Sequence, residues 1–250
     1  MNKQRTLLIA DIHGGFRSLR QCFERANFSY TEDHLICLGD IVDGFPQTKQ
    51  CIEELLKIKN LILLSSNHDQ WLLDYCLTGN KEYLWLTQGG YNTLKSYNGD
   101  IPKSHIEFLL KAKLYHIENN ILFVHGGIIP GSKVENNNKD TIIWDRELIC
   151  NAYKKSNGRP NYRMQDVYDE IFVGHTTTGK FNKEFKPVKY CEINDLDSGG
   201  GWEGKLTIMD LNSREYWQSD FVKTLYPESD GRGDYAKSLK MYSKLFHSHP

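Results

Sequence analysis

The chain has 250 residues, enough for one large α/β domain or two small ones. Its 39% hydrophobic and 25% charged content excludes a disordered or fibrous chain, and a formal net charge of −1 gives no electrostatic reason to expect nucleic acid or an anionic membrane as partner. No apolar run reaches the length of a membrane span, and the start, MNKQRTLLIAD, meets an acid too soon for a secretory signal, so a cytoplasmic location is the default expectation.

Taken in chain order, Thr6–Ala10 reads as a buried strand, and Phe16, Leu19, Cys22, Phe23 and Ala26 mark one face of a helix. His34–Leu38 is a second strand, with a helix behind it carrying Ile52, Leu55, Leu56 and Ile58. Leu61–Leu64 is a third, and this opening βαβαβ run argues for parallel pairing. Helical signals dominate from His68 to Lys113 (WLLDYCL, GGYNTLKSY, and SHIEFLLKA begun by Pro102). Strand-like runs return as LYHIE, ILFVH, EIFVGH, VKYCEI, KLTIMDL and EYWQSDF, with Asn119-Asn120 as a hairpin turn between the first two. KVENNNK (133–139) and PESDGRGD (227–234) read as exposed loops. One domain over 1–250 is expected, its tail at about 234–247 an amphipathic helix marked by Tyr235, Leu239, Tyr242, Leu245 and Phe246. The six cysteines form no CxxC pair, and Cys22, Cys37 and Cys51 sit in apolar patterns as reduced core thiols.

Five of the apolar runs stop at a polar residue: TLLIADIHGG, LICLGDIVDG, LILLSSNHD, ILFVHGG and EIFVGHT. Ligands of open α/β sheets bind beyond the carboxyl ends of the strands, where Asp11, His13, Asp40, Asn67, His125 and His175 would converge. Singly, each has an ordinary structural explanation: Asp11 as a helix cap, Asp40 and Asp43 as turn residues, His125 and His175 as satisfied core histidines. Five such endings together favour metal. The mixed O/N set without thiolate suits manganese, iron or zinc, and its size fits two divalent ions sharing one carboxylate.

DIHGG, GDIVDG, SNHD, HGG and GHT, in this order, resemble the signature blocks of the metal-dependent phosphoprotein phosphatases, within the calcineurin-like metallophosphoesterases. WLTQGGYNTLKSY (85–97) and TIIWDRE (141–147) resemble the smaller bacterial and phage members, which include dinucleoside tetraphosphatases. The likeness runs from about Thr6 to Asp210 and implies an α/β fold of two mixed β-sheets packed as a sandwich and flanked by helices. It implies two divalent metals, manganese above iron or zinc, with Asp11 and His13 on the first, Asn67, His125 and His175 on the second, and Asp40 bridging. It also makes His68 the general acid, Asp43 the carboxylate that orients it, and Arg146 a phosphate-binding arginine. Asn67 is counted with the phosphate-binding groups as well, and Asp197 in DLDSGGGWEGK is given a structural role.

Such a centre fits phosphomonoester hydrolysis on chemical grounds. The dianion repels nucleophiles, so the reaction needs charge neutralisation, a metal-bridging hydroxide and a proton for the leaving alkoxide. Departures from the family pattern bear on substrate: Gly44 and Ser65-Ser66 stand where arginines are common, leaving Arg146 as the principal cation and Arg17 as a fallback. The leading expectation is a protein serine/threonine phosphatase. Hydrolysis of a dinucleoside polyphosphate or another nucleotide phosphoester is the second, to be favoured by Tyr91, Tyr97 or Trp144 near the site, and a catalytically weak phospho-partner binding protein the third. Phosphorylated protein or a small phosphoester is the expected partner; nucleic acid and membrane are not.

Overall fold

A computed structural model describes residues 4–157, 159 and 162–246 of the chain. Two mixed five-stranded sheets form its centre. The first contains β1 (Thr6–Ile9), β2 (His34–Cys37), β3 (Asn60–Leu63), β9 (Thr207–Asp210) and β10 (Tyr216–Gln218), in the order β10-β9-β1-β2-β3. Its β1, β2 and β3 are parallel, in register from Thr6 with His34 and His34 with Asn60, while β9 runs antiparallel to β1 and to β10. The second contains β4 (Tyr115–Glu118), β5 (Ile121–Val124), β6 (Glu170–Val173), β7 (Val188–Tyr190) and β8 (Ile193–Asp195), in the order β4-β5-β6-β8-β7. Parallel β5-β6-β8 is flanked there by antiparallel β4 and β7.

Strand alternation explains why the sheets stack. Successive side chains point to opposite faces, so Leu8, Ile36 and Met209 meet Phe123 and Phe172 between the sheets, the two phenylalanine rings stacked at 5.5 Å. Leu7, Ile9, Leu35 and Cys37 face the other way, toward α1 (Phe16–Arg25), α2 (Thr48–Leu55) and α3 (Asn67–Thr78). On the far side of the second sheet, Leu122, Val124, Ile171 and Val173 pack among buried residues of α7 (Lys139–Trp144) and α8 (Glu147–Ser156). The result is a sandwich flanked by helices, the expected class. Between α3 and β4 lie α4 (Tyr83–Trp85), a π-turn (Leu86–Gly90), α5 (Tyr91–Ser96) and α6 (Lys103–Leu110). The chain closes with α9 (Val222–Leu225) and α10 (Asp234–Phe246); position 247 of the expected tail lies outside the described residues. No helix among the described residues is long and apolar enough to cross a membrane.

The Asn119-Asn120 hairpin stands, both residues at positive φ (51° and 59°). Three local expectations need correction. VKYCEI is two strands, not one: the chain reverses at Cys191, at φ 55°, and β7 folds back on β8. The turn is held from outside, since the buried Glu192 carboxylate accepts from the backbone N–H groups of Met164 and Gln165. KVENNNK carries a 3-10 turn at Val134–Asn136 and buries Val134 completely. PESDGRGD is not a free loop either, because Ser229 and Gly231 are buried. Cys22, Cys37 and Cys51 are buried free thiols.

Candidate active site

The ends of β1, β2, β5 and β6 and the start of α3 meet at one rim. Backbone bonds clasp the loops together: Asp11 N–H donates to Gly39 O (3.2 Å), His13 N–H to Asp40 O (2.9 Å), and Gly174 N–H to His125 O (2.9 Å). The fit is tight, since a Cβ on Gly174 would collide with Asp11 Oδ2. Asp11, His13, Asp40, Asp43 and His175 all adopt positive φ, between 48° and 66°. Left-handed backbone is uncommon for any residue but glycine, although Asp and His tolerate it better than most, and such conformations cluster at functional sites.

Two groups of potential metal-ligating atoms share one carboxylate. His13, Asp40 and His68 form the first, and Asp40, His125 and His175 the second, with atoms within 4.8 Å in each. Asn67 Oδ1 lies 3.0 Å from His125 Nε2. Asp11 stands slightly apart: its oxygens accept from His175 N–H (3.0 and 3.2 Å), and Oδ1 is 3.9 Å from His13 Nε2.

The histidines are tied at their outer nitrogens. His13 Nδ1 faces Val42 O (3.1 Å), His125 Nδ1 faces Leu38 O (2.8 Å), and His175 Nε2 faces Trp144 O (3.2 Å). A carbonyl only accepts, so each tied nitrogen carries a proton, and in the neutral ring the other has a lone pair, the arrangement of metal-ligating histidines. Burial works against a charged His125, but the Asp40 charge outweighs it and raises that imidazole. His125 Nε2 then faces Asn67 Oδ1 at 3.0 Å and Asp40 Oδ1 at 3.4 Å, acceptors that need a shared cation or proton. The donor set fits divalent metal on this observation.

The electrostatics agree. Burial, with Asp197 and Asp40 nearby, pushes the Asp11 carboxyl well above its usual range. Burial also opposes ionising Asp40, but His125, His68 and His13 outweigh it and hold that carboxyl well below its usual range. Burial pushes His175 down to about 2, helped by His125 and Arg146, so its imidazole is neutral.

Beside this centre, His68 Nδ1 lies 2.8 Å from Asp43 Oδ2. Asp43 is fully buried, and its oxygens accept from Trp85 Nε1–H (3.1 and 3.0 Å) and from the Thr93 hydroxyl (2.8 Å). Both donate to Asp43; burial pushes its carboxyl well above the usual range and these two bonds work against that. With the carboxyl ionised, His68 Nδ1 carries the proton. Burial nevertheless pushes the His68 imidazole down to about 3.

His13, Asp40, His68 and His175 border a cavity of about 160 Å³ lined also by Arg146, Thr177, Lys180, Asp197, Trp202 and Arg232. Arg146 is anchored by donating from Nη1 to His175 O. Asp197, expected to be structural, lines the cavity and accepts from Gly199 N–H (2.9 Å). Arg17 is elsewhere, paired with Glu228 (2.7 Å) over the Tyr226 ring. Sequence reasoning missed Arg232 and Trp202 altogether, and gave Trp85 and Thr93 no role. A larger trough of about 930 Å³ passes Arg5 and Asp33, which pair with each other at 2.7 Å.

The sequence profile of the calcineurin-like phosphoesterases matches residues 4–199, more than half of the chain. The chain belongs to that family. It is a metal-dependent phosphoester hydrolase of a family that uses a dinuclear divalent metal centre. Among its relatives, serine/threonine-protein phosphatase 1 of Salmonella typhimurium is 24% identical over 216 residues, covering 83% of this chain and 92% of the relative. The symmetrical bis(5'-nucleosyl)-tetraphosphatase of Nitrosospira multiformis is 27% identical over 51% of this chain, a match spanning 45% of that enzyme. The crystal structure of a protein assigned as a diadenosine tetraphosphatase superposes with a TM-score of 0.62 at 17% identity, over 87% of this chain and 93% of that one. That likeness is one of fold.

Proposed function

We propose that the chain is a phosphomonoesterase acting on phosphoserine or phosphothreonine of protein substrates. Asp11, His13 and Asp40 would hold one divalent cation, and Asp40, Asn67, His125 and His175 the second. When loaded, the centre supplies charge neutralisation and an acidified water, the two things attack on a phosphate dianion needs. The protein's own residues do the rest. Arg146 grips a phosphoryl oxygen. His68, with Nδ1 held by Asp43, presents Nε2 to the leaving oxygen and protonates it. Burial works against a charged His68, so the proton is held only with the negative charge of a bound phosphoryl group beside it.

The observation that carries this reading is the small cavity lined by His68, whose Nδ1 faces Asp43 behind it. About 160 Å³ admits a phosphoryl group and a short side chain, and lies below the roughly 300–1,000 Å³ of sites that enclose a whole small molecule. The near full-length likeness to a serine/threonine phosphatase supports it.

Two tryptophans favour a second reading, a dinucleoside polyphosphate or other nucleotide substrate. Trp144 is 41% exposed with its ring 5.9 Å from His175, and Trp202, 48% exposed, lines the cavity. Trp144 offers its ring to a base, whereas Trp202 has the Arg232 guanidinium over one face. Tyr97 does not, being buried against His105, and Tyr91 packs on Tyr235. Comparing kcat/KM for a phosphoserine peptide and for diadenosine tetraphosphate, each with Mn²⁺, decides between them. Clear preference for the peptide is expected. Preference for the dinucleotide overturns the leading reading.

A further inference from the structure

We propose that Arg232, carried on the loop between α9 and α10, is a second guanidinium that grips the phosphoryl group, in place of the arginine absent at position 44. The inference rests on phosphoester chemistry in this cavity, and it concerns a residue outside the family-matched segment 4–199.

Arg232 is set apart by its partners. Arg5, Arg17, Arg20, Arg25, Arg163 and Arg214 each hold a carboxylate within 4 Å. Arg146 and Arg232 line the cavity and hold none among the described residues. The Arg232 donors are only partly used: Nη1–H reaches Gln88 Oε1 (3.1 Å), Nη2–H reaches His13 Nε2 (3.2 Å), and Nε is buried with no acceptor among the described residues. A desolvated guanidinium with spare donors beside a catalytic pair calls for an anionic acceptor. The Nη2 bond is itself provisional, because His13 Nε2 is the nitrogen assigned to metal; loading that nitrogen frees a second donor.

The loop is built to place this side chain. Asn92 Nδ2 shares its two hydrogens among Gly44 O (2.7 Å), Gly231 O (3.0 Å) and Asp234 Oδ2 (2.8 Å), joining the loop to the segment that carries Asp43. Gly231 sits at φ +60° against the Phe45 ring. The Trp202 ring lies 4.0 Å from the Arg232 guanidinium carbon and fixes its plane. Gly44, where the resemblance leads one to expect arginine, therefore anchors the loop that brings one from another direction.

The test uses the full chain loaded with Mn²⁺, with orthophosphate as probe by calorimetry and by product inhibition of p-nitrophenyl phosphate hydrolysis. Arg232→Ala is expected to weaken orthophosphate and lower kcat/KM about 10–100-fold, the scale of one charge-assisted contact, at unchanged metal content by elemental analysis. Arg232→Lys keeps the charge but not the fork, so it should recover only part of the loss, and it carries the test if the alanine variant misfolds. Wild-type phosphate affinity in Arg232→Ala, or full recovery by lysine, overturns the proposal. So does a loss of metal in step with activity, which would make Arg232 a support of the metal shell. A wild type that turns over no phosphoester but still loses phosphate affinity on Arg232→Ala would sink the hydrolase reading and leave the grip standing.

Discussion

Glu54 and Asp11 are equally hidden carboxylates, at 2% and 1% exposure, yet they live in opposite electrostatic neighbourhoods. Glu54 receives Arg20 Nη1 (2.6 Å), Lys57 Nζ (2.6 Å) and the Tyr30 hydroxyl. Burial opposes its charge, but those donors outweigh burial and hold its carboxyl below the usual range. Asp11 faces Asp197, Asp40 and Asp195, and burial and repulsion together raise it. One region has spent its charges on folding. The other gathers several carboxylates, with few direct ion pairs, on left-handed backbone at the rim where divalent cations would bind.

If that contrast is right, Asp40→Asn has the largest consequence of any single change at the rim. Asp40 belongs to both ligand groups, so its loss should empty both sites and lower hydrolysis by more than the roughly 10–100-fold typical of losing a mere supporting group. Elemental analysis checks the cause. Full metal occupancy in the variant would break the comparison at its root.

Next in size is His68→Asn, which separates chemistry from placement. Removing a proton donor should lower kcat on an alkyl phosphate by about 10²–10⁴-fold, and far less on p-nitrophenyl phosphate, whose leaving group needs little help. Equal losses on the two substrates would mean that His68, 4.9 Å from the His13 ring, only shapes the pocket.

Gly44→Arg probes the strained side of the comparison without replacing a ligand, although it presses on His13. Gly44 lies at φ +100°, and a Cβ there would stand 3.0 Å from His13 O and 3.1 Å from His13 Cβ. Restoring the expected arginine should therefore destabilise the protein by about 1–3 kcal/mol. A thermal melt reads this directly, and an unchanged midpoint would show that the backbone relaxes.

The strand ends and the fold were legible because period-2 alternation and a polar stop are local signals. The Asn119-Asn120 turn was legible because asparagine tolerates the conformation it adopts. Cys191 adopts similar backbone with no such preference, and the buried Glu192 that holds the turn acts on residues 27 and 28 positions away. Arg232 was hidden for the same reason at longer range: its bond to His13 spans 219 residues, and its polar, glycine-rich surroundings look like any surface loop. Trp85 and Thr93 lay in a recognised block, but nothing in their spacing says that both hold Asp43. The sequence shows which groups end strands; only the docking of distant segments shows which groups face them.

The smallest effect belongs to the satisfied carboxylate. A depressed carboxyl stabilises the fold above its unfolded value, 4.5 for Glu54, and that contribution is lost as pH falls through the lower folded value. Arg20 and Lys57 are more than half exposed, so the pairing is screened, and Glu54→Gln should cost about 0.5–1 kcal/mol at pH 7. Urea unfolding with chelator present, to remove any contribution from metal, should show the gap between wild type and variant constant from pH 8 to about pH 5. Below that it should close as wild-type Glu54 takes up its proton. A gap that persists at pH 3 would mean that the residue contributes packing rather than charge, and the two carboxylates would then differ in degree only.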